Sequence, residues 1–162
     1  EAAMSYSRIC VAAALQRYLD ITPIAARIRD LAGVLAAAHG ASVSVLSVEA
    51  PVELLPDVDS MVEKLERYAA PLTEQRFDVH VALRKGKPSR EIISYIEETG
   101  ADLLIIGSHS KRGVLDVGLG STASVLMREL EPTVVMVRPT EKEREQAQEL
   151  MIPRYPVVFP YG

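Results

Sequence analysis

Short apolar stretches rich in β-branched residues alternate with amphipathic helical stretches along this chain, and that alternation restricts the fold more than any other feature. RICVAAA (8–14) reads as a buried strand. Thr22 and Pro23 then give an N-cap followed by proline in the first turn. Ile24, Ile28, Leu31 and Leu35 repeat at helical spacing up to a stop at Gly40. SVSVLSV (42–48) is a second strand. From Asp57, the positions Val58, Met61, Leu65, Tyr68 and Leu72 predict the apolar face of a helix, with the charges at 59, 63, 64, 66 and 67 mostly on the other side. DVHVALR (78–84) is a third strand, followed by a helix carrying Ile92, Ile93 and Ile96 that Gly100 ends. ADLLIIGS (101–108) reads as a strand buried on both faces. A helix from about Ser121 to Leu130 and the strand TVVMVRP (133–139) complete the series. Strands alternating with helices imply a parallel sheet covered on both faces, an α/β fold.

The chain has 162 residues, 48% of them apolar and 25% charged, as expected for one globular domain. Its net charge of −4 offers no broad basic field for phosphates, so nucleic acid is not an expected partner. No apolar run reaches the roughly 18 residues of a membrane span, so no membrane partner is expected either. The single cysteine, Cys10, forbids an internal disulfide and reads as a small core residue. EAAMSYS has no signal-peptide pattern, with Met4 reading as the natural start, and a cytoplasmic location is expected. Residues 140–162 differ from the rest. TEKEREQAQELM predicts a short helix and IPRYPVVFPYG an extended arm, together a C-terminal extension.

GSHSKRGVLDVGLGST (107–122) joins the fourth strand to the fourth helix and carries four glycines. A phosphate-binding P-loop would use Gly113 and Gly118, but Leu119 stands where the lysine must be. Gly118, Gly120 and Ala123 match a dinucleotide fingerprint. That motif should follow its strand at once, and the next strand should end in an acid rather than Arg138. The third spacing starts at Gly107: G-x-x-S, nine residues, then Gly120 and Ser121.

That third spacing resembles the G-x-x-G-x9-G-[ST] loop of nucleotide-binding members of the universal stress protein family. RKGKPSREIISYIEETGADLLIIGSHS, HGASVSVLSVEAP and PTVVMVRP resemble that family's segments in the same order, so the resemblance covers roughly residues 7–139. It implies a three-layer α/β/α domain of the adenine nucleotide alpha hydrolase-like type, with a five-stranded parallel sheet in the order 3-2-1-4-5. It also implies a stress-response protein that binds ATP or AMP, with Mg2+ if ATP. The corresponding nucleotide-binding positions are Ala12, Ala14, Val48, Ile106, Gly107, Ser110, Gly120, Ser121 and Thr122. A homodimer through the last strand, Thr133 to Arg138, is implied as well, and a protein partner reading a nucleotide-ordered loop is expected. Gly107 would leave its strand with no side chain in the way, Gly120 would admit a phosphate, and Ser121 would open a helix whose N–H groups favour an anion.

Ser110 stands where the family has its second loop glycine, and Ala12–Ala14 stand where nucleotide-binding relatives usually carry P-x-D or V-D. Alanine offers a base or sugar no side-chain hydrogen bond. LQRYL (15–19) reads as inserted before the first helix, and Asp20 after it is the acid able to stand in. Two readings therefore stand side by side: a nucleotide-binding switch, and a family member without ATP acting as a dimeric interaction module. His109, Lys111 and Arg112 can meet phosphates or simply be solvated. His39 and His80 have no metal-like spacing. No Ser-His-Asp set or metal cluster is legible, and the chain is read as a binding protein rather than an enzyme.

Overall fold

The computed structural model describes residues 5–49, 60–108 and 121–152. Ten elements follow in order: β1 (Arg8–Ala12), α1 (Pro23–His39), β2 (Ser42–Glu49), α2 (Met61–Glu74), β3 (Val79–Lys85), α3 (Pro88–Thr99), β4 (Leu103–Gly107), α4 (Ser121–Glu129), β5 (Thr133–Val137) and α5 (Glu141–Leu150). The five strands form one sheet in the order β3-β2-β1-β4-β5, every neighbouring pair parallel. This is the order the family resemblance implies.

Local signals in the sequence place the helix ends. The Thr22 side chain accepts the Ala25 N–H, 3.2 Å away, with Pro23 in the first turn. Gly40 and Gly100 close α1 and α3 in the left-handed region, at φ 66° and 70°, where a side chain would be strained.

Two apolar layers sandwich the sheet. Ile9, Val11, Val43, Val45, Leu103 and Ile105 face α1 and α2. Cys10, Leu46, Leu104 and Ile106 face α3 and α4. The alternation along each strand follows from the two-residue period of extended chain. The helix expected from Asp57 is described from Met61; Asp57, Val58 and Asp59 lie outside the described residues. One expectation fails on α2. Lys64 does not join the solvated face but is 4% exposed, because its ammonium donates to the carbonyls of Leu15 (2.6 Å) and Tyr18. A buried cation is tolerable when main-chain oxygens accept its hydrogen bonds.

The chain after β5 turns back onto the domain. The short helix expected there is α5, which opens with a full capping box between Thr140 and Glu143 and packs along α1. Its end reaches the segment after β1. Leu19 N–H donates to Leu150 O and Ile152 N–H to Arg17 O, both at 2.7 Å, around an antiparallel bridge between Tyr18 and Met151. The arm beyond Ile152 lies outside the described residues.

Candidate functional site

The strand order fixes where a ligand can sit. From β1 the chain crosses to β2 on one side, and from β4 to β5 on the other, so the connections diverge between β1 and β4. In an open α/β sheet, that divergence leaves a crevice beyond the carboxyl ends of the two strands. Ala12 and Ile106 are direct register partners there, and Ala12 also pairs with Leu46 of β2. Val48 lies two residues further along β2. Ala12, Val48 and Ile106 all pack on the α3–α4 side of the sheet, so three expected positions share one face near one end.

Gly107 closes β4 and pairs with Val137. The absence of a side chain at Gly107 also serves packing. A Cβ added there would come within 2.8 Å of Ile28 Cδ1, with Ile24 Cγ1 at 3.7 Å. The missing side chain therefore makes room for α1 packing on the sheet, and its φ is not in the left-handed range. Ser108, which sequence reasoning passed over, is buried at the same lip, and its N–H donates to Val137 O. Ser110 and Gly120 lie outside the described residues, as do His109, Lys111 and Arg112. Ser121 is the first residue of α4 and Thr122 the second, half-buried, so the expected helix start stands where sequence placed it.

The β1 side of the crevice is built from main chain. β1 ends at Ala12, yet Ala13 N–H still donates to Leu46 O (2.9 Å), and Ala13 O accepts the Ser47 hydroxyl (3.1 Å). Both polar groups of Ala13 are thus already engaged. Ala14 is exposed, and Leu15 turns back into the core at 1% exposure. Asp20 does not fill the vacant acid's place with a free carboxylate. Its Oδ1 accepts the Ile21 N–H at 2.8 Å and lies 3.6 Å from Arg67 on α2. Periodicity could not have revealed Ser47 or Lys64 as structural partners, because their acceptors belong to a distant segment.

Titration behaviour at the site is simple. Burial pushes the Cys10 thiol up to about 12, so this cysteine is a neutral core residue. Burial likewise raises the Tyr18 phenol, partly offset by Arg17. Among the described residues, no group of three or more His, Cys, Asp or Glu side chains is placed to hold a metal. No described helix is long and apolar enough to cross a membrane.

Comparison with known proteins places these features in a family. The chain is 33% identical over 76 residues to universal stress protein MJ0577 of Methanocaldococcus jannaschii, covering 46% of this chain and 47% of that protein. The alignments span about half the length of the curated relatives it matches. A universal stress protein solved in complex with cAMP superposes with a TM-score of 0.66 at 20% identity, over 85% of this chain and 100% of that one. One from Archaeoglobus fulgidus, solved with dAMP, gives 0.61 at 18% identity, over 82% and 98%. At such identities the superpositions establish the fold. Residues 14–138 match the universal stress protein family, beginning just past β1 where the alanine tract departs from the usual pattern. The chain belongs to the universal stress protein family.

Proposed function

We propose that this protein binds an adenine nucleotide, ATP or AMP, in the crevice between β1 and β4, and acts in the cytoplasm as a stress-response switch rather than as an enzyme. The observation that carries this reading is the divergence of the sheet connections between Ala12 and Ile106, with the start of α4 following the loop from β4. Apolar Ala12, Val48 and Ile106 suit a base, and the first turn of α4 at Ser121 and Thr122 suits a phosphate. Ser110 and Gly120 would complete the phosphate contacts. With ATP, Mg2+ would be held chiefly by phosphate oxygens. Related proteins solved with cAMP and dAMP support an adenine-containing ligand. The dimer would form through Thr133 to Arg138, since β5 lies at the edge of the sheet.

The alanine tract favours a second reading. β1 supplies no side-chain hydrogen-bonding group at Ala12–Ala14, and Asp20 is engaged elsewhere. A dimeric interaction module without nucleotide would have this character. Mass spectrometry of nucleotides released from the purified protein, followed by calorimetry with Mg-ATP, separates the two. Micromolar binding that disappears in Gly120→Val supports the switch. A folded dimer with neither bound nucleotide nor binding heat supports the interaction module.

A further inference from the structure

The segment between β1 and α1 leaves the carboxyl end of β1, the end at which the proposed crevice opens, and its main chain is held from two sides. From α2, the buried Lys64 ammonium donates to Leu15 O and Tyr18 O. From the other side, the end of α5 supplies the acceptor for Leu19 N–H and the donor for Arg17 O, and Ile152 is buried at 5% exposure. Residues 15–19 lie in no helix or named strand, so these partners replace the ladder that regular structure would provide.

At its start, α5 is anchored by a single carboxylate with two tasks. Glu143 Oε1 accepts the Thr140 N–H at 2.9 Å and so caps α5. The same group receives Arg27 of α1 in a two-point contact, Nε to Oε2 at 2.9 Å and Nη2 to Oε1 at 2.8 Å. Arg27 Nη2 also donates to Arg138 O at 2.7 Å, tying the end of β5 to the same guanidinium. Such bidentate, charge-assisted contacts fix orientation as well as distance. The start of α5 is therefore locked to α1, and its far end is hydrogen-bonded to the β1–α1 segment.

We propose that α5 and Met151–Ile152 act as a latch on residues 15–21. Docked, the latch holds this segment in one arrangement. Released, it removes the main-chain hydrogen bonds at Arg17 and Leu19 and frees the segment to rearrange about its contacts with α2. Arg27 and Glu143 are the control point, and an event that draws either away is felt at Leu19 through the length of α5. The device does not depend on which ligand the crevice takes.

Amide hydrogen exchange in the full chain tests it without any ligand. Arg27→Met removes the anchor while leaving the α5 cap intact. We expect exchange at Leu19 and Ile152 to accelerate together by about tenfold, with the sheet amides of Cys10 and Ile105 unchanged. Acceleration at Ile152 alone, or at neither, would overturn the latch. Cross-linking the bridge through Tyr18→Cys and Met151→Cys in the Arg27→Met background should return Leu19 to slow exchange. A formed cross-link that leaves Leu19 fast would also overturn it.

Discussion

Gly107 of β4 and Ile28 of α1 pack so closely that a Cβ on the glycine would stand 2.8 Å from Ile28 Cδ1. The nearest atom is the tip of a flexible side chain, so the clash can be relieved at moderate cost. Gly107→Ala is expected to lower stability by about 1–2 kcal/mol in urea denaturation. Ile28→Val removes the clashing methyl, so the double variant should lose less than the two single losses added together. Strict additivity in that cycle would show that the contact is not the cause.

Lys64→Met should prove costly although it replaces a buried charge with an apolar chain. The carbonyls of Leu15 and Tyr18 would lose their shared donor, the Leu15 bond being a buried one. A loss of about 2–3 kcal/mol is expected, read from the denaturation midpoint at unchanged slope.

Cys10 should be inert in the native protein. Its thiol is fully buried and remains neutral at ordinary pH, with a pKa pushed up to about 12. Iodoacetamide at pH 8 should leave the folded chain unmodified and alkylate it fully in denaturant. Rapid native labelling would mean that the β1 region opens far more readily than its packing implies.

Acid should release α5. Burial alone would raise the Glu143 carboxyl, but the Thr140 N–H and the Arg27 guanidinium outweigh it and hold the group below its ordinary value. The docked state therefore binds this proton less readily than the free chain. Its stabilisation is present above the ordinary glutamate range, near about pH 4.3, and fades as pH falls through the lower native value. Leu19 exchange, corrected for the intrinsic pH effect, should accelerate below that range in the wild type. In Arg27→Met the change should be smaller.

The parts of the fold legible in the sequence are those governed by near neighbours. Thr22 with Pro23, and Gly40 and Gly100, mark helix ends because caps are local events. The apolar runs of β1, β2 and β4 mark strands because each is buried on two faces. The strand order came from family resemblance, since periodicity says nothing about which strands adjoin. Lys64 was misread because its position on α2 looks solvated until the Leu15–Leu19 segment is laid against it. The packing of Ile28 against Gly107 is not legible in the sequence, because the two residues lie on elements far apart in the chain. At the candidate site, Ala12, Val48 and Ile106 do come together. The engagement of Asp20 with Arg67, and of Ala13 with Ser47, needed the folded chain.

The Tyr18–Met151 bridge joins an early segment of the chain to a late one. During synthesis the strands and helices up to β5 can assemble as they emerge, but the β1–α1 segment must wait for residues 150–152 to leave the ribosome. A nascent chain stalled within α5 would carry a nearly finished sheet and an unfastened segment between β1 and α1. Emergence of residues 150–152 is thus the step that fastens the segment between β1 and α1.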